Sequence, residues 1–190
     1  MGFTRAELEA HRGREVEDLL GPDLRLLFVG INPGLWTAAV QTHFAYPGNR
    51  FYPALLRAGI IQRPISPAEG MSEDDRAHLG ARGIGITNLV RRATARASEL
   101  SGAELREGGE RLLGLVGDRR PTVVAVAGVT AYRRAFGERQ AASGRRPPQA
   151  RWGGAALWVV PNPSGLNAHE TVETLAAAYA APAREAGVIV

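Results

Sequence analysis

Two short strings about 130 residues apart hold the side chains best placed to do chemistry: Gly30-Ile31-Asn32-Pro33-Gly34 near the start and Asn162-Pro163-Ser164-Gly165-Leu166 near the end. Each follows an apolar run, 24–29 and 155–160, so each lies where a buried strand gives way to a loop. Open α/β sheets bind ligands outside the carboxyl ends of their strands, which is where both strings fall. In the first string, Pro33 fixes one backbone dihedral and Gly34 permits a left-handed or close-approach conformation. The resulting turn can present the backbone amides of Ile31 and Asn32, and a short carboxamide, to a cavity. That carboxamide does not ionise near neutral pH, so Asn32 cannot act as a strong base. In the second string, Leu166 stands just before a predicted helix N-terminus, where free amides favour phosphate. A lone apolar loop residue is usually a minor packing contact, but against DNA it can serve as a wedge that enters the base stack. Taken singly, ordinary turn chemistry explains either string.

Composition narrows the chemistry. The 190 residues contain no cysteine, which excludes disulfides, thiolate nucleophiles and iron-sulfur clusters, and the four scattered histidines make no metal-site pattern. His11, His43 and His78 read as surface or loop residues. All 23 basic residues are arginine, so no side-chain amine can form a Schiff base. The net charge of +4 suits a polyanionic partner, because arginine forks match phosphate oxygens. No apolar run approaches the ~18 residues of a membrane span, and the first twenty residues are rich in Glu and Arg where a signal peptide needs an apolar stretch. One cytoplasmic domain over residues 1–190, free of metal and cofactor, is expected.

The elements that must position these residues alternate between strand and helix. Thr4 with Glu7 forms a capping box for a first helix that should run to Leu20, at Gly21-Pro22. After the strand at 24–29, a long irregular stretch to Arg50 carries Trp36, Phe44 and Tyr46, which reads as a packed functional loop. A helix at 51–58, a polar helix from Ser72 and a strand at 83–90 follow. Ser101 with Glu104 caps a helix to Val116, a Val-rich strand fills 122–127, and a helix from Gly128 passes Tyr132 and Phe136. Residues 137–151, which carry Arg139, Arg145, Arg146, Pro147 and Pro148 and show no periodicity, read as a mobile basic loop. The last helix is expected over about 168–181, capped by Asn167 with Glu170 and stopped by Pro182. Four strand-to-helix units without a hairpin signal predict a parallel sheet with helices on both faces.

Several tempting patterns fail on their details. Gly83-Ile84-Gly85 starts a dinucleotide-like string, but Asn88 stands where the third glycine is needed. A Walker loop requires a lysine. Ser164-Gly165 lacks the upstream glycine of a nucleophile elbow, and no aspartate lies near His169 in sequence to complete a relay.

Four blocks in order, Gly30-Ile31-Asn32-Pro33-Gly34-Leu35, Phe44-Ala45-Tyr46-Pro47-Gly48-Asn49-Arg50-Phe51, Gly85-Ile86-Thr87-Asn88-Leu89-Val90 and Pro161-Asn162-Pro163-Ser164-Gly165-Leu166, resemble the mismatch-specific uracil-DNA glycosylase and thymine-DNA glycosylase family. The resemblance implies a three-layer α/β/α sandwich with a central four-stranded parallel sheet. It also implies an enzyme that extrudes uracil from duplex DNA, preferentially from G:U pairs, and hydrolyses its glycosidic bond, with other damaged pyrimidines as further substrates. By resemblance Asn32 positions the attacking water, Phe44 stacks on the base, and the backbone of Ile31 and Phe44 holds its edge. Gly34, Thr37 and Asn162 line the base site; Ser164, Gly165, Leu166 and Asn167 face the DNA, with Leu166 filling the vacated stack. Arg91 stands where the family usually carries an acidic residue, and Asn167-Ala168 replace a basic residue of some members. The product should be an intact abasic site, made by a monomer acting on double-stranded DNA. Two other readings fit the same residues: a binding module that recognises a flipped base without cleaving it, and a hydrolase of free nucleosides.

Overall fold

The computed structural model describes residues 2–190. Its centre is a five-stranded sheet of β1 (Leu26–Gly30), β2 (Ile84–Asn88), β3 (Val123–Ala127), β4 (Gly144–Arg145) and β5 (Ala156–Val160), in the order β2-β1-β3-β5-β4. The first four in that row are parallel. Every residue of β1, β2 and β3 is buried, which is why these strands read as continuous apolar runs rather than alternating ones. Helices cover both faces, giving three layers. On one side α3 (Phe51–Arg57), α4 (Glu73–Ala81) and α7 (Val172–Glu185) enclose Phe28, Phe51, Leu175 and Tyr179. On the other, α5 (Gly102–Arg119) and α6 (Val129–Phe136) enclose Leu112, Val116, Tyr132 and the buried Trp152. Two short helices, α1 (Arg5–Glu9) and α2 (Leu35–Val40), lie beside the carboxyl end of the sheet, with Leu8 packed against the cluster that holds Leu35.

The chain leaves β1 toward β2, then crosses back to β3 on the other side of β1. That reversal opens a crevice between the ends of β1 and β3, the place where open sheets hold ligands. Gly128, at φ +118°, turns the chain there, and a Cβ on it would lie 3.2 Å from the Ile31 side chain.

Four sequence expectations are corrected. The first helix does form on the Thr4–Glu7 capping box, but it ends at Glu9 instead of Leu20. Beyond Gly13 (φ +78°) the chain is extended, and Leu19 exchanges two backbone hydrogen bonds with Ile86, 2.9 and 2.8 Å. The open edge of β2 thus recruits this segment, a tertiary demand that outweighs its helical pattern. The fifth strand arises within the segment read as a mobile basic loop. There β4 pairs antiparallel with β5, Arg145 bonds Glu185, and Arg146 and Arg151 converge on Glu138. Strand one starts at Leu26 rather than Leu24. The last helix is capped by Thr171 in a box with Thr174, leaving Asn167 and Glu170 in the preceding turn, and Pro182 lies inside it. The proline removes the intrahelical hydrogen bond that an N–H at this position would make.

Candidate active site

Both strings open onto one cleft of about 1110 Å³ at the carboxyl ends of the parallel strands, lined among others by Gly30, Asn32, Phe44, Asn88, Asn162 and Leu166. Asn32 is fixed on its wall by its amide nitrogen. Nδ2 donates to Thr94 Oγ1 at 2.8 Å and lies 3.1 Å from the carbonyl oxygens of Pro33 and Arg92. Those two carbonyls can only accept, so the nitrogen must face them, and the orientation of the carboxamide is determined. Thr94, itself buried, gives its proton to the Arg96 carbonyl at 2.9 Å and therefore presents a lone pair to Asn32. Oδ1 is left as the free, cleft-side acceptor of a rigidly held amide. Thr94 N–H in turn bonds the Pro33 carbonyl at 3.1 Å, which ties the loop after β2 to the loop after β1.

The floor of the cleft is built from Gly30, Phe44, Asn88 and His43. Phe44 adopts φ +55°, unusual for a bulky residue, and its ring stacks on Phe51 at 4.1 Å between centroids. The Phe51 face is thereby covered while the half-buried Phe44 ring lines the cleft. His43 Nε2 lies 2.8 Å from the Glu17 carbonyl, so Nε2 carries the hydrogen and Nδ1 is an acceptor. Asn88 Nδ2 donates to that Nδ1 at 3.1 Å, which directs Asn88 Oδ1 toward Gly30. Only a glycine fits beneath this oxygen: a Cβ at Gly30 would run into Asn88 Oδ1 and lie 3.2 Å from Phe44 Cζ.

Burial holds His43 below its ordinary pKa of 6.5, so the neutral ring is the folded form. With the folded pKa lowered, the unfolded chain takes up a proton first as pH falls through about 6.5, and stability is lost between that value and the depressed folded one. Unfolding free energy measured from pH 7.5 to 5 should fall below pH 6.5, by up to about 1.4 kcal/mol per unit. His43→Gln should flatten the profile; an unchanged slope in that variant would assign the loss to other groups.

The second string forms a self-supporting loop. Ser164 N–H bonds Asn162 Oδ1 at 3.0 Å, Leu166 N–H bonds Ser164 Oγ at 3.3 Å, and Asn167 Nδ2 reaches the Asn162 carbonyl at 3.3 Å. Arg50, the N-cap residue of α3, fastens it, its N–H on the Pro163 carbonyl and its Nη1 on the Asn167 carbonyl, both at 3.0 Å. Gly165 rests on Gly48 so closely that a Cβ would stand 2.5 Å from the Gly48 carbonyl oxygen. Leu166, at the tip, is 89% exposed.

The structure brings together Ile31, Asn32, Gly34, Thr37, Phe44, Asn162, Ser164, Gly165 and Leu166 around the cleft, with Asn167 bracing the loop behind them. Their duties differ from the expected ones in places. The carboxamide of Asn162 and that of Asn167 are engaged within the loop. Thr37 Oγ1 accepts from the Ala45 N–H at 3.3 Å and so supports the turn that carries Phe44. The Ile31 carbonyl is taken by the Val90 N–H at 2.9 Å, leaving its amide as the backbone group to offer. Gly34 is not left-handed: it is an extended helix N-cap at φ −75°, with open space where a side chain would stand. The glycine required by close approach is Gly30. His43, read as a surface or loop residue, does lie in the loop between α2 and α3 but is buried there. Arg91 lies 3.6 Å from Glu15. Thr94, His43 and the carboxamide role of Asn88 were missed; Asn88 alone had a signal, its position at a strand exit beside Gly30.

Residues 17–182 match the family model described as the Uracil DNA glycosylase superfamily. The fold is similar to the solution NMR structure of a candidate uracil DNA glycosylase from Methanosarcina acetivorans, with a TM-score of 0.60 at 19% identity over 89% of this chain and 97% of that one.

Proposed function

The chain belongs to the uracil DNA glycosylase superfamily, and we propose that within it the protein is a monofunctional enzyme that removes uracil, preferentially opposite guanine, from double-stranded DNA. The observation that carries this reading is the Asn32 carboxamide, locked by three acceptors with its oxygen free in a cleft that also holds Phe44. Asn32 Oδ1 holds a water against C1′ of an extruded deoxyuridine. Water oxygen bonds to C1′, the C1′–N1 bond breaks with its electron pair leaving on the base, and the water's proton passes to solvent or to the departing uracil. Because no strong base is involved, the rate comes from positioning and from donors that stabilise the leaving anion, here the amides of Ile31 and Phe44. Electron-poor pyrimidines are accordingly better substrates than thymine.

Phe44 stacks on the base, with Gly34 and Thr37 beside it. Asn88 Oδ1, aimed by His43, is an acceptor suited to the N3–H of uracil and unsuited to the unprotonated N3 of cytosine. The loop of Asn162, Ser164, Gly165 and Asn167 carries Leu166 into the gap left in the stack, where a wedge of this kind compensates the lost stacking. With no lysine, an imine-forming strand cleavage through a side-chain amine is unavailable.

A labelled duplex bearing one G:U pair, treated with excess protein, tests the reading. Scission should appear only after alkali. Scission without alkali overturns the monofunctional assignment, and none in either sample overturns the glycosylase.

A further inference from the structure

Three aromatic rings on separate segments form a ladder at the rim of the cleft. Phe3, just ahead of α1, stands edge-to-face on Trp36 at 4.9 Å between centroids and 81°; Trp36 in turn meets Tyr46 at 6.1 Å and 88°. Such perpendicular contacts are favourable for aromatic pairs, and they leave much of this cluster in solvent. Tyr46 is 57% exposed and Phe3 38%. Neither ring is needed for the core, and no glycosylase step described above uses any of the three.

The ladder is nonetheless built. Trp36 is pinned by its Nε1–H on the Ala68 carbonyl at 2.9 Å. Tyr46 lies against Gly48, where a Cβ would come within 3.0 Å of Cε1, and its carbonyl accepts from the Asn49 N–H at 2.8 Å in a tight turn. Phe3 is placed by the capping box that starts α1, and α1 is anchored by Arg12, which pairs with Glu9 and with Glu99 across the cleft. Residues 2–16, which supply Phe3 and this anchor, lie outside the segment matched by the family. Exposed aromatic rings held rigidly are stacking platforms for unpaired bases, every one of which has a π-face. Two exposed arginines of the same cleft, Arg5 and Arg96, supply charge complementary to a phosphate backbone.

We propose that Phe3, Trp36 and Tyr46 form a stacking platform for unpaired bases of single-stranded DNA, continuous with the cleft, so that the protein binds single strands without requiring a lesion. The proposal rests on the reading of the cleft as a DNA site, and deepens it. Bases in a duplex are already stacked on their neighbours and cannot use the platform; a single strand threading past Asn32 can.

Oligothymidylate without uracil is the probe, titrated against the full chain while Trp36 fluorescence is followed. Trp152 is buried and Trp158 sits on β5 with its Nε1 on Glu185, so Trp36→Phe identifies the reporter. Wild type should show saturable quenching that Trp36→Phe abolishes. By fluorescence anisotropy of a labelled oligothymidylate, Tyr46→Leu and Phe3→Ala should each weaken binding by roughly tenfold, as expected for loss of one stacked base, and Tyr46→Phe should retain it. Unchanged affinity in Tyr46→Leu and Phe3→Ala, with unfolding midpoints equal to wild type, overturns the platform, as does an absence of binding by wild type. The probe carries no uracil, so binding here together with no base release from G:U would overturn the glycosylase reading alone.

Discussion

Asn32→Ala should slow single-turnover uracil release from a G:U duplex by roughly 10²- to 10³-fold, the scale of losing one preorganised polar group at a reacting centre. The carboxamide does two jobs in the structure. Its nitrogen joins the loop after β1 to the loop after β2 through Thr94 Oγ1 and the Arg92 carbonyl, and its oxygen is left free for the water that the proposed reaction places there. Alanine removes both, so stability should fall as well, by about 1 kcal/mol. Asn32→Asp separates the two. It keeps an oxygen for the water but sets a second oxygen against the carbonyls of Pro33 and Arg92, which can only accept. At neutral pH that variant should be less stable than Asn32→Ala, and it should recover part of the difference as pH falls and protonation restores a donor. Thermal unfolding of the two variants at pH 5 and 7.5, beside the single-turnover rates, checks this. Release within a few-fold of wild type in Asn32→Ala would move the central role to another residue.

The second large effect is expected at a residue with no side chain. Gly30→Ala should cost about 1–3 kcal/mol of stability, the range for overpacking a tight site, and should lower uracil release at least tenfold. The new methyl group has nowhere to go. It meets Asn88 Oδ1, which His43 prevents from turning away, and it crowds Phe44 Cζ at 3.2 Å. Phe44 cannot retreat, because its other face lies on Phe51 at 4.1 Å. Asn88→Ala in the same chain removes the harder of the two contacts. The stability cost of Gly30→Ala measured in that background should therefore shrink below about 1 kcal/mol, a coupling that a double-mutant cycle reads directly. An equal cost in both backgrounds would mean that the strain lies elsewhere.

How much of this was legible in the sequence follows from which interactions are local. The parallel strands announced themselves, because burial on both faces demands uninterrupted apolar runs such as Val123–Ala127. Capping boxes at Thr4 and Ser101 marked helix starts correctly, since their bonds span three residues. Helix ends were less legible: the segment after Glu9 is claimed by the edge of β2, 67 positions away at Ile86 from Leu19, and no pattern within 10–20 states that claim. The two-residue β4 owes its existence to β5 and to the pairs of Arg145 with Glu185 and Arg146 with Glu138. At the site, Asn32, Phe44 and Leu166 stood out by type and context. Thr94 and His43 did not, because a threonine that accepts one hydrogen bond and a histidine held as one tautomer acquire those properties only from partners distant in sequence.

The loop at 162–167 has one further consequence, which concerns entropy. Fixing a residue's backbone costs about 1–2 kcal/mol, so six residues ordered only upon meeting a partner would subtract on the order of 6–12 kcal/mol from the encounter. In this chain the internal bonds of Asn162, Ser164 and Asn167, the two bonds from Arg50 and the Gly165–Gly48 contact impose that order during folding. Leu166 thus arrives with little beyond its own rotamers left to lose, about 0.5–1 kcal/mol. An apolar tip that would be too small to drive the ordering of a floppy loop becomes, on a loop already stiff, nearly all gain.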